Sequence, residues 1–185
     1  RVDERGKVIT LTGQPELNAQ HISIPGDLSS AAFPMVAALI APSEEVVIEN
    51  VCLNPFRTGL IDTLKEMGAR ISIKFKKSKS GEQVGDIFMQ CGPLTGIRVP
   101  PERAPTMIDE YPILAVAAAC AEAKTIFEGV SELRLKESDR LDSIARGLRS
   151  CKVEVDVTDD RLTIYGKGKP PWGGGQISSN MDHRI

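Results

Sequence analysis

The feature that most constrains this chain is a repeat. Residues 31–38, AAFPMVAA, parallel residues 109–116, DEYPILAV, with an aromatic–proline pair in both. IENV at 48–51 parallels FEGV at 127–130, and GARISI at 68–73 parallels SCKVEV at 150–155, an offset of about 80 residues. Periodicity assigns the first copy a strand in HISIPGD (21–27), a helix over 28–41 capped by Ser29 or Ser30, and a strand over 44–51. A helix over 57–69 follows, with Leu60, Ile61, Leu64 and Met67 on one face and Gly68 at its end, then strands at 70–75 and 85–90 around a polar hairpin loop, 76–83. The second copy predicts a strand at 95–100, an apolar helix at 108–123 and a strand at 124–130. It continues with a helix at 137–150, burying Leu141, Ile144, Ala145 and Leu148, and strands at 152–157 and 161–166 joined at Asp159. QISS (176–179) and MDHRI (181–185) read as the opening of a third copy, and KVITLT (7–12) as a strand ahead of the first. The expected fold class is α/β (α+β), built from repeated βαβαββ units, because internal repeats fix architecture better than single elements do.

The repeat carries an electrostatic consequence. Equivalent helices in units related by a common rotation point the same way, so their N-termini gather at one end. Each brings about half a positive charge and free backbone N–H groups. That end should attract anions even though the chain carries a formal net charge of −2. The acidic balance argues against duplex nucleic acid as a partner. Cys52, Cys91, Cys120 and Cys151 form no CxxC pair and read as reduced, packed thiols of a cytoplasmic protein. With only His21 and His183 present, no zinc site and no metal is expected. No apolar run reaches the roughly 18 residues of a membrane span. Both ends, RVDERGK and MDHRI, read as cuts in a longer chain.

The residues at the expected helix starts are Ser29 and Ser30 in the first unit, and Asp109 and Glu110 in the second. The second unit adds Lys136, Glu137 and Arg140 within LRLKESDRL, and the third offers Asp182, His183 and Arg184. Each has an ordinary alternative: a solvated i,i+3 ion pair for Glu137 and Arg140, helix-dipole stabilisation for the two acids, a packed or capping role for His183. Against the ordinary alternative, Lys136 and Arg140 are like charges at i,i+4 on the end of a helix that disfavours cations. A bound anion would reverse both penalties.

Five ordered blocks, IPGDLSSAAF, NPFRTGLIDTLKEMGA, RAPTMIDEYPILAVAAA, RLKESDRL and DHRI, resemble the 5-enolpyruvylshikimate-3-phosphate synthase family. MIDEYPILAVAAA and LKESDR resemble its bacterial, glyphosate-tolerant (class II) branch. The resemblance implies an enolpyruvyl transferase-like, inside-out domain of three units around a pseudo-threefold axis. It places residues 1–22 in the tail of an upper domain and 23–185 in most of the lower one. Unit one covers about 20–92, unit two about 93–168, and unit three starts at about 175–185.

The resemblance further implies transfer of the enolpyruvyl group of phosphoenolpyruvate to the 5-hydroxyl of shikimate 3-phosphate, with no cofactor and no metal. On that basis Asp109, Lys136 and Glu137 are catalytic, with Asp109 and Lys136 also on shikimate 3-phosphate. Arg140 and Arg184 grip phosphoenolpyruvate, and Asp182 and His183 support the site. Glu132 stands where part of the family has an asparagine on the shikimate phosphate, which leaves that contact open. The implied partners are small anionic substrates and the rest of the same chain, neither nucleic acid nor membrane. The intact protein is expected as a monomer, and this piece as inactive alone and prone to self-association. Two alternatives stand beside this reading: a UDP-N-acetylglucosamine enolpyruvyl transferase, and a non-catalytic βα-repeat interaction domain.

Overall fold

The structure is a computed structural model that describes residues 2–5, 8–14, 16–79 and 81–185. β1 (Val2–Arg5) and β2 (Val8–Leu11) form an antiparallel hairpin, Val2 opposite Leu11. The sequence predicted only its second strand, whose expected first residue, Lys7, lies outside the described residues. α1 (Leu28–Ile40), β3 (Val46–Cys52), α2 (Gly59–Glu66), β4 (Arg70–Lys79) and β5 (Glu82–Gln90) follow, and the strands make a sheet in the order β3-β5-β4. β6 (Arg98–Val99), α3 (Tyr111–Cys120), β7 (Glu122–Glu128), α4 (Arg140–Ser150), β8 (Glu154–Val157) and β9 (Arg161–Lys167) repeat the pattern, with the sheet order β6-β7-β9-β8. Within each unit the last strand lies between the two before it.

Helices occupy the interior. α1 packs on α3 and α3 on α4, while β3 and β5 cover α1, β9 covers α3 and β8 covers α4. α1 and α3 are apolar nearly all round; most of each is buried, while Phe33 and Val116, each 37% exposed, lie on an uncovered side. α2 and α4 are amphipathic, and the predicted faces are the buried ones: Leu60, Ile61, Leu64 and Met67, and Leu141, Ile144, Ala145 and Leu148. No helix among the described residues is long and apolar enough to cross a membrane. The four cysteines are unpaired and each is half-buried rather than packed away.

The backbone refines the repeat. α2 closes in a Schellman turn, with Ala69 N–H on the Leu64 carbonyl at 2.9 Å and Gly68 at φ 91°. α4 closes the same way, with Val153 N–H on Leu148 at 3.0 Å and Lys152 at φ 65°. Gly68 is therefore equivalent to Lys152, two residues beyond the Ser150 that the text alignment matched to it. Asn50 (φ 56°), in the irregular stretch of β3, and Gly129 (φ 69°), just after β7, both take left-handed backbone at the positions that IENV and FEGV align.

Several predicted elements differ. No strand forms at 21–25; Gly26 alone makes a parallel bridge to Val51. Ile22 and Ile24 are 70% and 86% exposed, so their alternation has no surface to bury against. The cap of α1 is Asp27, not Ser29 or Ser30: its carboxylate accepts from Ser30 N–H at 2.7 Å and Ser30 Oγ at 2.9 Å. The expected loop 76–83 is mostly strand, since β4 and β5 continue to Lys79 and from Glu82 across a register shift; Ser80 lies outside the described residues. The strand at 95–100 shrinks to Arg98–Val99 plus a bridge from Thr95 to Glu122.

α3 starts at Tyr111, after a 3-10 turn over Ile108–Glu110, which puts Pro112 in its first turn, where a missing N–H leaves no helix bond unmade. α4 starts at Arg140, capped by Asp139, which accepts from Asp142 N–H at 2.9 Å. Lys136 and Glu137 thus precede the helix, and the expected i,i+4 repulsion on its first turn does not exist. Residues 176–179 form no strand, having no strand alongside, and 181–185 are turns rather than a helix start.

Candidate active site

Arg140 organises the end where the helices begin. It opens α4 with its side chain only 1% exposed. Its Nε–H donates to Asp182 Oδ2 at 2.9 Å, Nη1 to Asp109 Oδ1 at 2.9 Å, and Nη2 to Asp182 Oδ1 at 3.3 Å and to Glu137 Oε2. A guanidinium has five N–H bonds, and four are committed here to carboxylates. Burial by itself would lower its proton affinity; the hydrogen bonds to Asp182 and the charges of Asp182, Glu137 and Asp109 outweigh that and raise it.

Asp182, 2% exposed, is the buried counterpart. Besides Arg140 it accepts from Ser138 Oγ at 2.9 Å and from Arg184 N–H at 2.9 Å. Burial pushes its carboxyl up, but the bonds from Arg140, the Arg184 N–H and Ser138, with Arg140's charge, prevail and hold it at about 2. Asp109 and Glu137 are the outward pair. Their side chains are about half-exposed, each fixed at one oxygen by Arg140. Lys136 reaches Asp109 at 3.8 Å and Glu132 at 3.0 Å.

A second group lies against the start of α1. Ser29, 1% exposed, accepts at its hydroxyl from Arg57 Nη2 (2.7 Å) and at its carbonyl from Arg184 Nη1 (3.3 Å). Arg57 also pairs with Asp27 at 3.3 Å. Glu110 is buried just before α3, with Oε1 unbonded; burial first, then the charge of Asp109, raise its carboxyl, while a hydrogen bond from Ser29 and the charges of Arg184 and Arg57 pull it back. Arg134 fastens the turn ahead of Lys136 to the β8–β9 hairpin through the Asp159 and Thr158 carbonyls, and pairs with Asp139 at 2.9 Å.

The residues expected at the helix starts are therefore together: Asp109, Lys136, Glu137, Arg140, Asp182 and Arg184 form one connected cluster through the contacts above. His183 stands apart from them, exposed on its turn. Cations and carboxylates were expected together at this end, and each of Lys136, Arg140 and Arg57 has an acid beside it. Arg57 was missed, although the repeat pointed to it: it occupies the start of α2, the place LRLKESDRL takes before α4.

The arrangement has definite chemical capacity. Two half-exposed carboxylates face outward on one buried guanidinium, with an ammonium next to one of them. This places proton-accepting groups beside cations able to bind an oxyanion.

The sequence matches the profile of EPSP synthase (3-phosphoshikimate 1-carboxyvinyltransferase) over residues 1–185. It is 54% identical over 185 residues to a 3-phosphoshikimate 1-carboxyvinyltransferase of Rhodospirillum rubrum, covering all of this chain and 41% of that protein. The same enzyme of a Methylobacterium species is 54% identical over 180 residues, 97% of this chain and 40% of that one. The chain thus spans about two fifths of the length of the curated relatives it matches. Among solved structures, EPSP synthase from Acinetobacter baumannii superposes with a TM-score of 0.92 at 43% identity, over all of this chain and 43% of that one. The enolpyruvyl transferase NikO from Streptomyces tendae, at TM-score 0.56 and 19% identity over 78% of this chain and 31% of that one, shares the fold.

Proposed function

This chain belongs to the EPSP synthase family, and from that membership we propose that it forms one wall of the active site of a 3-phosphoshikimate 1-carboxyvinyltransferase. The full-length protein transfers the enolpyruvyl group of phosphoenolpyruvate to the 5-hydroxyl of shikimate 3-phosphate and releases phosphate, in the cytoplasm. Residues 23–185 belong to the lower domain, with units at about 20–92 and 93–168 and a third beginning at about 175–185. Residues 1–22 belong to the tail of the upper domain. The apolar side chains of Val8, Ile9 and Leu11 on the hairpin, all well exposed in this chain, support that division.

The reaction adds the 5-hydroxyl oxygen to C2 of phosphoenolpyruvate while C3 gains a proton. It then removes a proton from C3 as the C2–O bond to phosphate breaks. Asp109 takes the hydroxyl proton and holds the shikimate ring; Glu137 delivers and recovers the proton at C3. Lys136, next to Asp109, binds shikimate 3-phosphate and stabilises the reacting oxygen. Arg184 and Arg140 hold phosphoenolpyruvate. Arg140 has one N–H uncommitted and reaches the substrate further only by exchanging Asp109 or Glu137 for its oxyanion. Asp182 keeps that guanidinium in place from behind, and His183 supports the turn.

The observation that carries this reading is the convergence of Asp109, Glu137 and Asp182, from three parts of the chain, on the buried Arg140. The test is phosphate release from the two substrates by the full-length protein. Glu137→Gln should lower kcat at least about 100-fold, and Arg140→Ala should lose measurable turnover. A Glu137→Gln variant within a few fold of wild type would remove Glu137 from the chemistry. The 185-residue chain alone should release no phosphate.

A further inference from the structure

The chemistry proposed above leaves Glu110 without a task, yet it is among the least ordinary groups in the molecule. It is a carboxylate 5% exposed, with Oε1 buried and unbonded. A buried acceptor without a donor is costly, so a donor close by should be drawn to it. One unmatched donor complements it: Arg184 Nε is also buried and unbonded. The charge of Arg184 acts on the Glu110 carboxyl. Ser29 lies by both: its carbonyl accepts from Arg184 Nη1 at 3.3 Å, and its hydroxyl draws the Glu110 carboxyl back down.

A guanidinium offers two forks, Nε–Nη on its side and Nη–Nη at its tip. An arginine that presents its tip to an oxyanion is best held by an acid on its side fork. We propose that Glu110 is a positioning residue for Arg184: its free carboxylate oxygen takes the Nε–H, Ser29 braces both, and the guanidinium tip is turned to phosphoenolpyruvate. This rests on the transferase reading above. It ties the start of α3 to the 182–184 turn through the first turn of α1, so one serine links residues from three successive units. The other charged groups facing Glu110 are its neighbour Asp109 and Arg57, which is held on the Ser29 hydroxyl at 2.7 Å.

The test uses the full-length protein, assayed for phosphate release with each substrate varied in turn. Glu110→Gln keeps the shape and removes the charge. It should raise KM for phosphoenolpyruvate about tenfold, the loss expected for one charge-assisted hydrogen bond, and leave kcat and KM for shikimate 3-phosphate within about twofold. In wild type, KM for phosphoenolpyruvate should climb at acid pH relative to Glu110→Gln as Glu110 takes up its proton. The ratio of the two proteins cancels the titration of the substrate itself. Ser29→Ala should shift the same KM in the same direction by less, and combined with Glu110→Gln it should add little. It decides the matter if Glu110→Gln does not fold. An unchanged KM for phosphoenolpyruvate, or both KM values rising together with a fall in Tm, overturns the positioning role. A wild-type protein that releases no phosphate overturns the transferase reading, and this inference with it.

Discussion

Replacing Asp182 by Asn tests how the cluster is held together, separately from what it catalyses. Asparagine preserves the volume and one acceptor for the Arg184 N–H, so the change isolates the charge. Asp182 titrates at about 2 in the folded protein against 3.8 for an ordinary aspartate. At about 1.4 kcal/mol for each tenfold change in proton affinity, that difference is worth about 2 kcal/mol of folding stability at neutral pH. The value sits just under the range of about 3–5 kcal/mol for breaking a buried ion pair, as it should, because Arg140 keeps Asp109 and Glu137. The sign follows from the depressed value. The contribution is complete above the unfolded value of 3.8 and disappears as pH falls through about 2.

Urea unfolding followed by circular dichroism is the assay. With a slope of about 2 kcal/mol per molar urea, Asp182→Asn should move the midpoint down by about 1 M at pH 7. At pH 3 the gap between wild type and variant should shrink to about half. A gap below about 0.5 kcal/mol at pH 7, or one that is the same at pH 3 and pH 7, would refute the claim that charge pairing with Arg140 is what Asp182 contributes.

Two predictions concern the ends of helices. Asp27→Ala removes the cap of α1, both bonds from Ser30 and a partner of Arg57, and should cost about 1 kcal/mol, read as a fall in Tm. Lys152→Gly should stabilise the protein by about 0.5–1 kcal/mol in the same denaturation assay, because Lys152 holds φ 65° where the equivalent residue of the first unit is already Gly68. A destabilised Lys152→Gly would mean the side chain makes a contact worth more than its strained backbone.

The repeat was legible because it is written in side chains that set backbone and packing together. The faces of α2 and α4 follow a 3.6-residue period, Gly68 marks an end, and the aromatic–proline pairs Phe33–Pro34 and Tyr111–Pro112 recur in α1 and α3. What the sequence misread depended on competition between neighbours. In KESDR, Glu137, Ser138 and Asp139 can each stand at a helix start; Asp139 wins by accepting from Asp142, and Lys136 and Glu137 fall outside. At 21–25 alternation was present, but a strand needs a partner along its length and a surface beneath it, which are properties of the rest of the fold. The membership of the cluster could be read from the repeat; its charge balance could not. The burial of Arg140 comes from acids 31 and 42 residues away, Asp109 and Asp182, and no local pattern carries that information.

The two least patterned helices also bear on the site. α1 and α3 show almost no amphipathic contrast, and both carry many small buried side chains: Ala31, Ala32 and Ala38 on one, Ala115, Ala117 and Ala118 on the other. Small residues let two helices approach closely, and close approach at the bodies brings the first turns within side-chain reach. The first turn of α1 then lies beside the start of α3, where Ser29 acts on the Glu110 carboxyl. Bulkier residues would pack as well against the sheets yet part the helix starts, and interiors do not absorb such changes without moving backbone. The alanines of AAFPMVAA and YPILAVAAA are thus as much a part of the site as the charges are. They contribute no chemistry, but they set the distances at which the charges meet.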